Sequence, residues 1–487
     1  MDIKSLKDKI LQLAIQGKLV PQNENDEPAS VLLEKIKVKK EQLIKDKVIK
    51  KERTLSDISE DEKIFDLPKG WEWCRLGKAT ICRDGDRVPV SSKEREDRAK
   101  IYDYYGASGV IDKIDDYLFD KPLLLIGEDG ANLISRSTPI AFIAYGKYWV
   151  NNHAHVIDSL EFITLKYLEI YINAIDLKSF VTGTAQPKLN QANLNQIPIM
   201  LPPLEEQERI VAKVDELFEL IDELDSNKQE LLENIFNIKN KVLQLAIQGK
   251  LVEQCEDDEP ASVLLERIKV EKEQLIKDKI IKKEKPLPEI SNEEKCFTLP
   301  KGWEWCRLGD ICKQITDGAH KTPTYVEKGI PFLSIKDISK GYIDFSNTKF
   351  ITEEEHERLI KRCNPQNGDL LFCRIGTLGK FKVIDVNEQF SIFVSVGLIK
   401  PFKYIQAKYL EILLNSPMLY GQYDKIKVVG SHTSKLNLGD IPKLLITIPP
   451  LEEQKRIIVK VNLIMDYLDK LQQEIESQEI ILKDILQ

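Results

Sequence analysis

The sequence predicts an α+β protein: two globular mixed α/β domains separated by two long antiparallel coiled-coil helices, pseudo-two-fold and circularly permuted. Three observations predict it. A frame of sequence occurs twice, the two frames enclose unlike inserts, and a heptad seam that stops at one end of the chain resumes at the other.

The frame decides the architecture. Leu11–Val20 recurs unchanged at Leu243–Val252, Asp26–Glu34 at Asp258–Glu266, and Glu41–Lys47 at Glu273–Lys279. Leu67–Gly77 (LPKGWEWCRLG) recurs at Leu299–Gly309, and Pro202–Gln207 (PPLEEQ) at Pro449–Gln454. The stretches between them, 78–201 and 310–448, share little except near their ends. One module is therefore duplicated around two divergent inserts. The organisation is a helical segment (1–66), a first domain (67–201), a central helical region (202–298), a second domain (299–448) and a final helix (449–487).

The helices follow from periodicity. Val214, Leu217, Ile221, Leu224, Leu231, Ile235, Ile238, Val242 and Leu245 form a 4-3-4-3 seam broken at Lys228. Pro203 suits a first turn, Glu205 and Glu206 suit the positive end of the dipole, and Gly249 suits a stop. The helix spans about 45 residues, or roughly 65 Å. Ile457, Val461, Ile464, Leu468, Leu471, Ile475, Leu482 and Ile485 repeat the seam with Gln478 as its break, and Leu6, Ile10 and Leu13 supply the turns it lacks. The chain reads as a circle cut inside one of two equivalent helices, with its termini brought together.

Composition narrows the class without naming it. At 487 residues, 42% hydrophobic and 31% charged, the chain is long enough for more than one core. No apolar run approaches the roughly 18–20 residues of a membrane span, and the N-terminus lacks the apolar core of a signal peptide. The eight cysteines form no C-x-x-C pair, which fits reduced thiols in a cytoplasmic protein. The net charge of −8 argues weakly against nucleic acid. The charge is segregated, however: residues 299–448 carry a basic excess, residues 67–200 are near balance, and the acidity lies in the helical regions.

The ordered duplicate set resembles the type I restriction–modification specificity subunit family over essentially the whole chain. The residues that carry it are Ile197-Pro198 with Pro202–Gln207, Ile441-Pro442 with Pro449–Gln454, the LPKGWEW starts at Leu67 and Leu299, and AIQGKLV at Ala14 and Ala246. The resemblance implies that the two inserts are target-recognition domains for double-stranded DNA. It also implies two methyltransferase subunits as partners, joined by endonuclease/translocase subunits. S-adenosylmethionine, ATP and Mg would belong to those partners, with no cofactor, metal or catalytic residue in this chain. In agreement, no phosphate loop, adenine-methyltransferase motif or hydrolase signature is found. Two other readings compete: a fused restriction–methylation enzyme, and a coiled-coil scaffold whose inserts bind something other than DNA.

Base reading needs paired donors and acceptors on loops held by a rigid scaffold. In the first insert these criteria select Arg83, Arg87, Lys93, Arg95, Arg98, Tyr104, Tyr105, Ser108, Asn132, Arg136, Asn152, His153, Gln186 and Lys188. In the second they select Thr316, His320, Lys321, Thr322, Tyr325, Lys336, Arg374, Thr377, Lys380, Ser431, His432, Thr433 and Lys435. A Gly–polar–Lys-Leu-Asn segment is common to both (Gly183–Asn190 and Gly430–Asn437). Lys188 and Lys435 are expected on phosphate, with Gln186, His432 and Thr433 nearer the bases. Glu128 and Asp129 are either an acid–base pair or acceptors for cytosine N4. His153 and His155 lack a clear third ligand, so no metal is expected. The tryptophan pairs Trp71/Trp73 and Trp303/Trp305 are expected to pack at the domain starts.

Overall fold

The computed structural model describes residues 3–49, 54–63, 65–183, 186–430 and 433–485, with side chains as far as Ser477. It divides into two compact units, Met1–Lys228 with Glu479–Gln487, and Gln229–Gln478.

The first unit begins with α1 (Ile3–Ile15) and α2 (Ala29–Lys45). There follow β1 (Glu72–Arg75), the one-turn α3 (Leu76–Ala79), β2 (Ile81–Cys82) and the short α4 (Ser92–Glu96). Next come β3 (Tyr102–Gly106), β4 (Gly109–Ile114), β5 (Leu123–Gly127), α5 (Asn132–Ser135), β6 (Ala141–Ala144), β7 (Tyr148–Val150) and β8 (Ala154–Asp158). Then α6 (Phe162–Ala174), α7 (Gln191–Asn195) and β9 (Pro198–Leu201) lead into α8 (Leu204–Ile247). One antiparallel sheet has the order β2-β8-β5-β6; a second, β4-β3-β7, pairs β3 and β7 in parallel. β5 is buried along its whole length because it is central and covered on both faces, so it reads as an unbroken apolar run. Leu124, Ile126 and Ile157 share one core with Leu165, Leu168 and Ile172 of α6.

The second unit repeats this plan. It contains α9 (Ala261–Lys277), β10 (Glu304–Arg307), β11 (Cys312–Asp317), β12 (Ile330–Leu333), β13 (Lys349–Ile351) and α10 (Glu353–Ile360). After these come β14 (Leu370–Cys373), β15 (Gly379–Val383), β16 (Ser391–Ile392), β17 (Val396–Pro401), α11 (Ala407–Leu414) and α12 (Pro417–Ile426). The hairpin β18 (Lys427–Val429) and β19 (Ser434–Leu436) precedes β20 (Leu445–Ile448) and α13 (Leu451–Ile485). The order β11-β17-β14-β15 matches β2-β8-β5-β6, and β13-β12-β16 matches β4-β3-β7. Two inserts with little common sequence thus have one topology.

The repeated frame closes each domain with the same contacts. β1 pairs with β9, and β10 with β20, so that each domain's first and last strands are neighbours. Trp71 Nε1 donates to Glu206 Oε2 and Trp303 Nε1 to Glu453 Oε2, both at 2.9 Å. Arg75 meets Glu62 at 2.6 Å, and Arg307 meets Glu294 at 2.8 Å. Gly17 and Gly249 both have φ +65°, and an added Cβ would lie 2.5 Å from Pro68 and Pro300 respectively. The turn after each helix therefore requires glycine.

The helices pair antiparallel in each unit. Lys7 of α1 reaches Asp222 of α8 at 2.6 Å, and Lys239 of α8 reaches Asp469 of α13 at 2.6 Å. Thr447 Oγ1, just before α13, donates to the carbonyl of Ile247 at the end of α8. α8 has 44 residues, about 66 Å. Its seam differs from the expected one. Val214, Ile221, Ile235 and Val242 are buried, but Leu224, Leu231 and Ile238 are 57%, 51% and 47% exposed. The second stripe that the partner helix covers is shifted by one residue: Phe218, Leu232 and Ala246 pack into the cores, and Leu224, Leu231 and Ile238 remain on the surface. On α13, Ile457, Val461, Leu468 and Ile475 are buried; the side chains of Gln478, Leu482 and Ile485 lie outside the described residues. Among the described residues no helix is long and apolar enough to cross a membrane.

Candidate nucleic-acid interface

In each domain the loop after the central strand is sewn to the shared Lys-Leu-Asn segment by the same backbone bonds. Leu189 N donates to the carbonyl of Glu128 (2.7 Å), and Leu436 N to that of Arg374 (2.9 Å). Gly130 N donates to Pro187 O (3.1 Å), and Gly376 N to Ser434 O (2.9 Å). Asp129 bridges Lys188, and Ile375 bridges Lys435. A third loop joins through Glu128 N to His153 O (2.8 Å) and Arg374 N to Ser395 O (3.0 Å). Each domain therefore presents a rim of three registered loops.

The first rim gathers several of the residues selected from sequence. Asn152, His153, Gln186 and Lys188 are exposed there. The turn carrying Ser108, also exposed, abuts Gly127, where an added Cβ would come within 2.8 Å of Ala107 O. His153 Nδ1 lies 2.8 Å from Asp129, and Lys188 Nζ 3.1 Å from Glu128. Below the rim is a buried ionic cluster. Arg87 contacts Glu128 (2.8 Å) and Asp84 (3.3 Å), and donates to Ala154 O. His155 spans from Asp84 (Nδ1–Oδ2 2.6 Å) to Leu189 O (Nε2–O 2.7 Å). Burial alone would raise the Asp84 pKa, but the His155 hydrogen bond, Arg87 and the amide of Val156 hold it below the usual carboxylate value.

His153 and His155 are not a pair: one faces solvent and the other is buried. Among the described residues, Asp84, Glu128 and His155 could hold a cation on distance alone, their ligating atoms lying within 4.8 Å of one another. Arg87 already supplies positive charge there.

The basic stretch from Arg83 to Lys100 is largely spent on internal acids. Arg83 pairs with Asp86 (2.5 Å), Arg98 with Asp115 (2.6 Å), and Lys100 with Asp112 (3.0 Å). Arg95 is buried on Asp112 (2.8 Å) with its guanidinium 4.3 Å from the Tyr104 ring centroid. Tyr104 is itself buried and bonds Val90. Tyr105 stacks on Phe142. Asn132 closes its own turn onto Ser137 and Thr138, and Arg136 donates to Ile172 O and Ile175 O at the end of α6. Lys93 is exposed on α4, apart from the rim contacts.

The second rim is built on Asp317, fully buried at the end of β11. Arg374 (2.7 Å), His320 (3.0 Å) and Arg362 all engage its carboxylate. Arg374 also donates to Leu436 O and Val394 O. His320, Lys321, Thr322, Thr377, Lys380, Thr433 and Lys435 are exposed. Thr316 is buried in β11, Lys336 bonds Asn347 O, and Tyr325 packs on Phe332 with Lys349 over its ring. Ser431 and His432 lie outside the described residues. The sequence reading did not single out Asp84, Asp317 or Arg362. Asp317 stands inside a chosen stretch, but nothing local marks Arg362, which is brought in from the end of α10.

The two regions that contain these rims match known proteins. The profile of the type I restriction modification DNA specificity domain matches residues 68–234 and 300–483. The specificity subunit of type I restriction enzyme EcoAI from Escherichia coli is 31% identical, over 98% of this chain and 91% of its own length. That of EcoEI, also from Escherichia coli, is 32% identical over the same shares. A solved chain described under complex assembly and conformational transition of the type I R-M system superposes with TM-score 0.50 and 19% identity. It covers 87% of this chain and 97% of that one, a likeness of fold.

Proposed function

Because this chain belongs to the family of type I restriction–modification DNA specificity subunits, we propose that its two loop rims each read one half of a bipartite, asymmetric DNA target. As a specificity subunit it recognises sequence and is non-catalytic; the chemistry is performed by other subunits of the complex. The observation that carries the bipartite reading is the common backbone frame of the two rims. The same bonds hold the same loops, while the exposed side chains differ: Asn152, His153 and Gln186 in one and Thr377 and Thr433 in the other. A shared scaffold with unlike side chains suits two half-sites of different sequence.

Lys188 and Lys435, exposed and at equivalent positions, serve best as phosphate contacts that set register without reading sequence. Ser108, Asn152, His153 and Gln186, with His320, Thr377 and Thr433, are the polar groups best placed for base edges. Arg87 and Arg374 support the loops from below, while Arg95 and Arg136 brace the domain away from the rim.

The partners are two methyltransferase subunits and, for cleavage, endonuclease/translocase subunits, which bring S-adenosylmethionine, ATP and Mg; the complex works in the cytoplasm. The exposed apolar residues Leu224, Leu231 and Ile238 recur at heptad spacing along α8 and suit docking of partner helices. The test is to coexpress the chain with its methyltransferase in a host lacking adenine methylation and to sequence the modified DNA. A split N6-methyladenine motif that appears only with this chain supports the reading. Methylation at the same sites without it refutes the reading.

A further inference from the structure

The two rims share one frame but differ in hydrogen-bond polarity. At the first position after the central strand, domain 1 has Glu128 where domain 2 has Arg374, each accepting from the leucine of the Lys-Leu-Asn segment. At the next position Asp129 stands opposite Lys188, and Ile375 opposite Lys435.

In domain 1 the charge of Glu128 is spent on Arg87 and Lys188. The Asp129 side chain is 31% exposed, and its carboxylate is oriented by His153 Nδ1 at 2.8 and 3.0 Å from its two oxygens. An ionised carboxylate only accepts hydrogen bonds, and close to a duplex it is repelled by phosphate unless a base edge supplies a donor. Cytosine N4 is that donor in the major groove. Adenine N6 stands beside the acceptor N7, guanine shows only acceptors, and thymine shows an acceptor and a methyl group.

In domain 2 the corresponding rim carries Arg362. Its side chain is 53% exposed, and its guanidinium is anchored on the buried Asp317 carboxylate and the carbonyl of Gly318 (3.0 Å). Asp317 also holds Arg374 and His320, so Arg362 is fixed at one edge while other N–H groups remain to face a ligand. An anchored guanidinium fork matches guanine O6 and N7.

We propose that Asp129 selects a cytosine in one half-site and Arg362 a guanine in the other. This assignment rests on the DNA-reading role proposed above. It is tested by mapping N6-methyladenine motifs for the full chain, assembled with its methyltransferase, as wild type, Asp129→Asn, His153→Ala and Arg362→Gln. Asn and Gln pair with adenine N6 and N7. Asp129→Asn should therefore shift one cytosine toward adenine, with discrimination lowered about tenfold or more, and leave the other half-site intact. His153→Ala should weaken the same position, and Arg362→Gln should shift one guanine toward adenine in the opposite half-site. An unchanged motif in the Asp129 or Arg362 variant, changes confined to a single half-site, or a wild-type half-site without a G·C pair overturns the assignment. If Asp129→Asn does not assemble, His153→Ala and the wild-type motif decide. If the wild-type chain yields no motif at all, the DNA-reading role itself fails, a different outcome.

Discussion

Trp71 donates its indole N–H to the buried carboxylate of Glu206, joining the start of the first domain to the first turn of α8. Gln22 donates to the other oxygen at 2.7 Å, and Trp303, Gln254 and Glu453 repeat the arrangement. Burial raises the pKa of both glutamates, and the tryptophan and glutamine hydrogen bonds partly offset it. Trp71→Phe leaves a buried acceptor with one donor fewer. It should destabilise the first unit by about 1–3 kcal/mol in chemical denaturation. A loss of less than a few tenths would show that the contact is incidental.

Glu169 and Glu411 occupy equivalent places on α6 and α11, yet their surroundings differ. Glu411 accepts from Val383 N and has Lys382 and Lys408 at 3.4 Å. Glu169 accepts from Ile143 N, but the nearby Lys166 pairs with Asp215, and burial pushes the Glu169 pKa up to about 7. A raised folded-state pKa means that the stabilising contribution is fully present below about pH 4.5 and lost as pH rises through about 7. Glu169→Gln should therefore raise stability at pH 8 by about 1–3 kcal/mol and change it little at pH 4. Glu411→Gln should lower stability at pH 8, by less than about 1 kcal/mol. Thermal melts at the two pH values check both.

Leu224, Leu231 and Ile238 are exposed in the chain alone, so a polar residue there costs the fold little. Leu231→Glu should leave the melting temperature of the isolated chain nearly unchanged and sharply reduce copurification of the methyltransferase. Full complex recovery would place the partner elsewhere.

The seven residues Lys228–Asn234 lie mid-way along α8. Deleting them removes close to two helical turns, about 10 Å, and nearly preserves which faces point where. The methylation motif should keep both half-sites and change its spacer. Altered half-sites with the original spacer would contradict a ruler role for the helix.

The duplicated frame was legible because its sequence is nearly identical in both copies, and the ends of α8 because Pro203 and Gly249 punctuate them. The outward stripe of Leu224, Leu231 and Ile238 was not legible, since Leu217-Phe218 and Leu231-Leu232 offer apolar residues on two adjacent stripes and periodicity alone does not choose between them. The internal pairing of the basic stretch after Arg83 was not legible for a similar reason. The acids that pair Arg87, Arg95 and Arg98 stand 41, 17 and 17 residues away and are brought in only by the fold. The rims were half legible: glycine-flanked polar clusters marked the loops, but Arg362 arrives from a helix end with no local signal.

On the reading proposed above, this chain alone sets the DNA sequence its complex acts on, one half per rim. The most direct measurement exchanges residues 310–448 for the corresponding insert of a relative with a known target, then maps N6-methyladenine across the host genome. One half-site should change to that of the relative while the other stays. A motif that is unchanged, or altered in both halves at once, would contradict it.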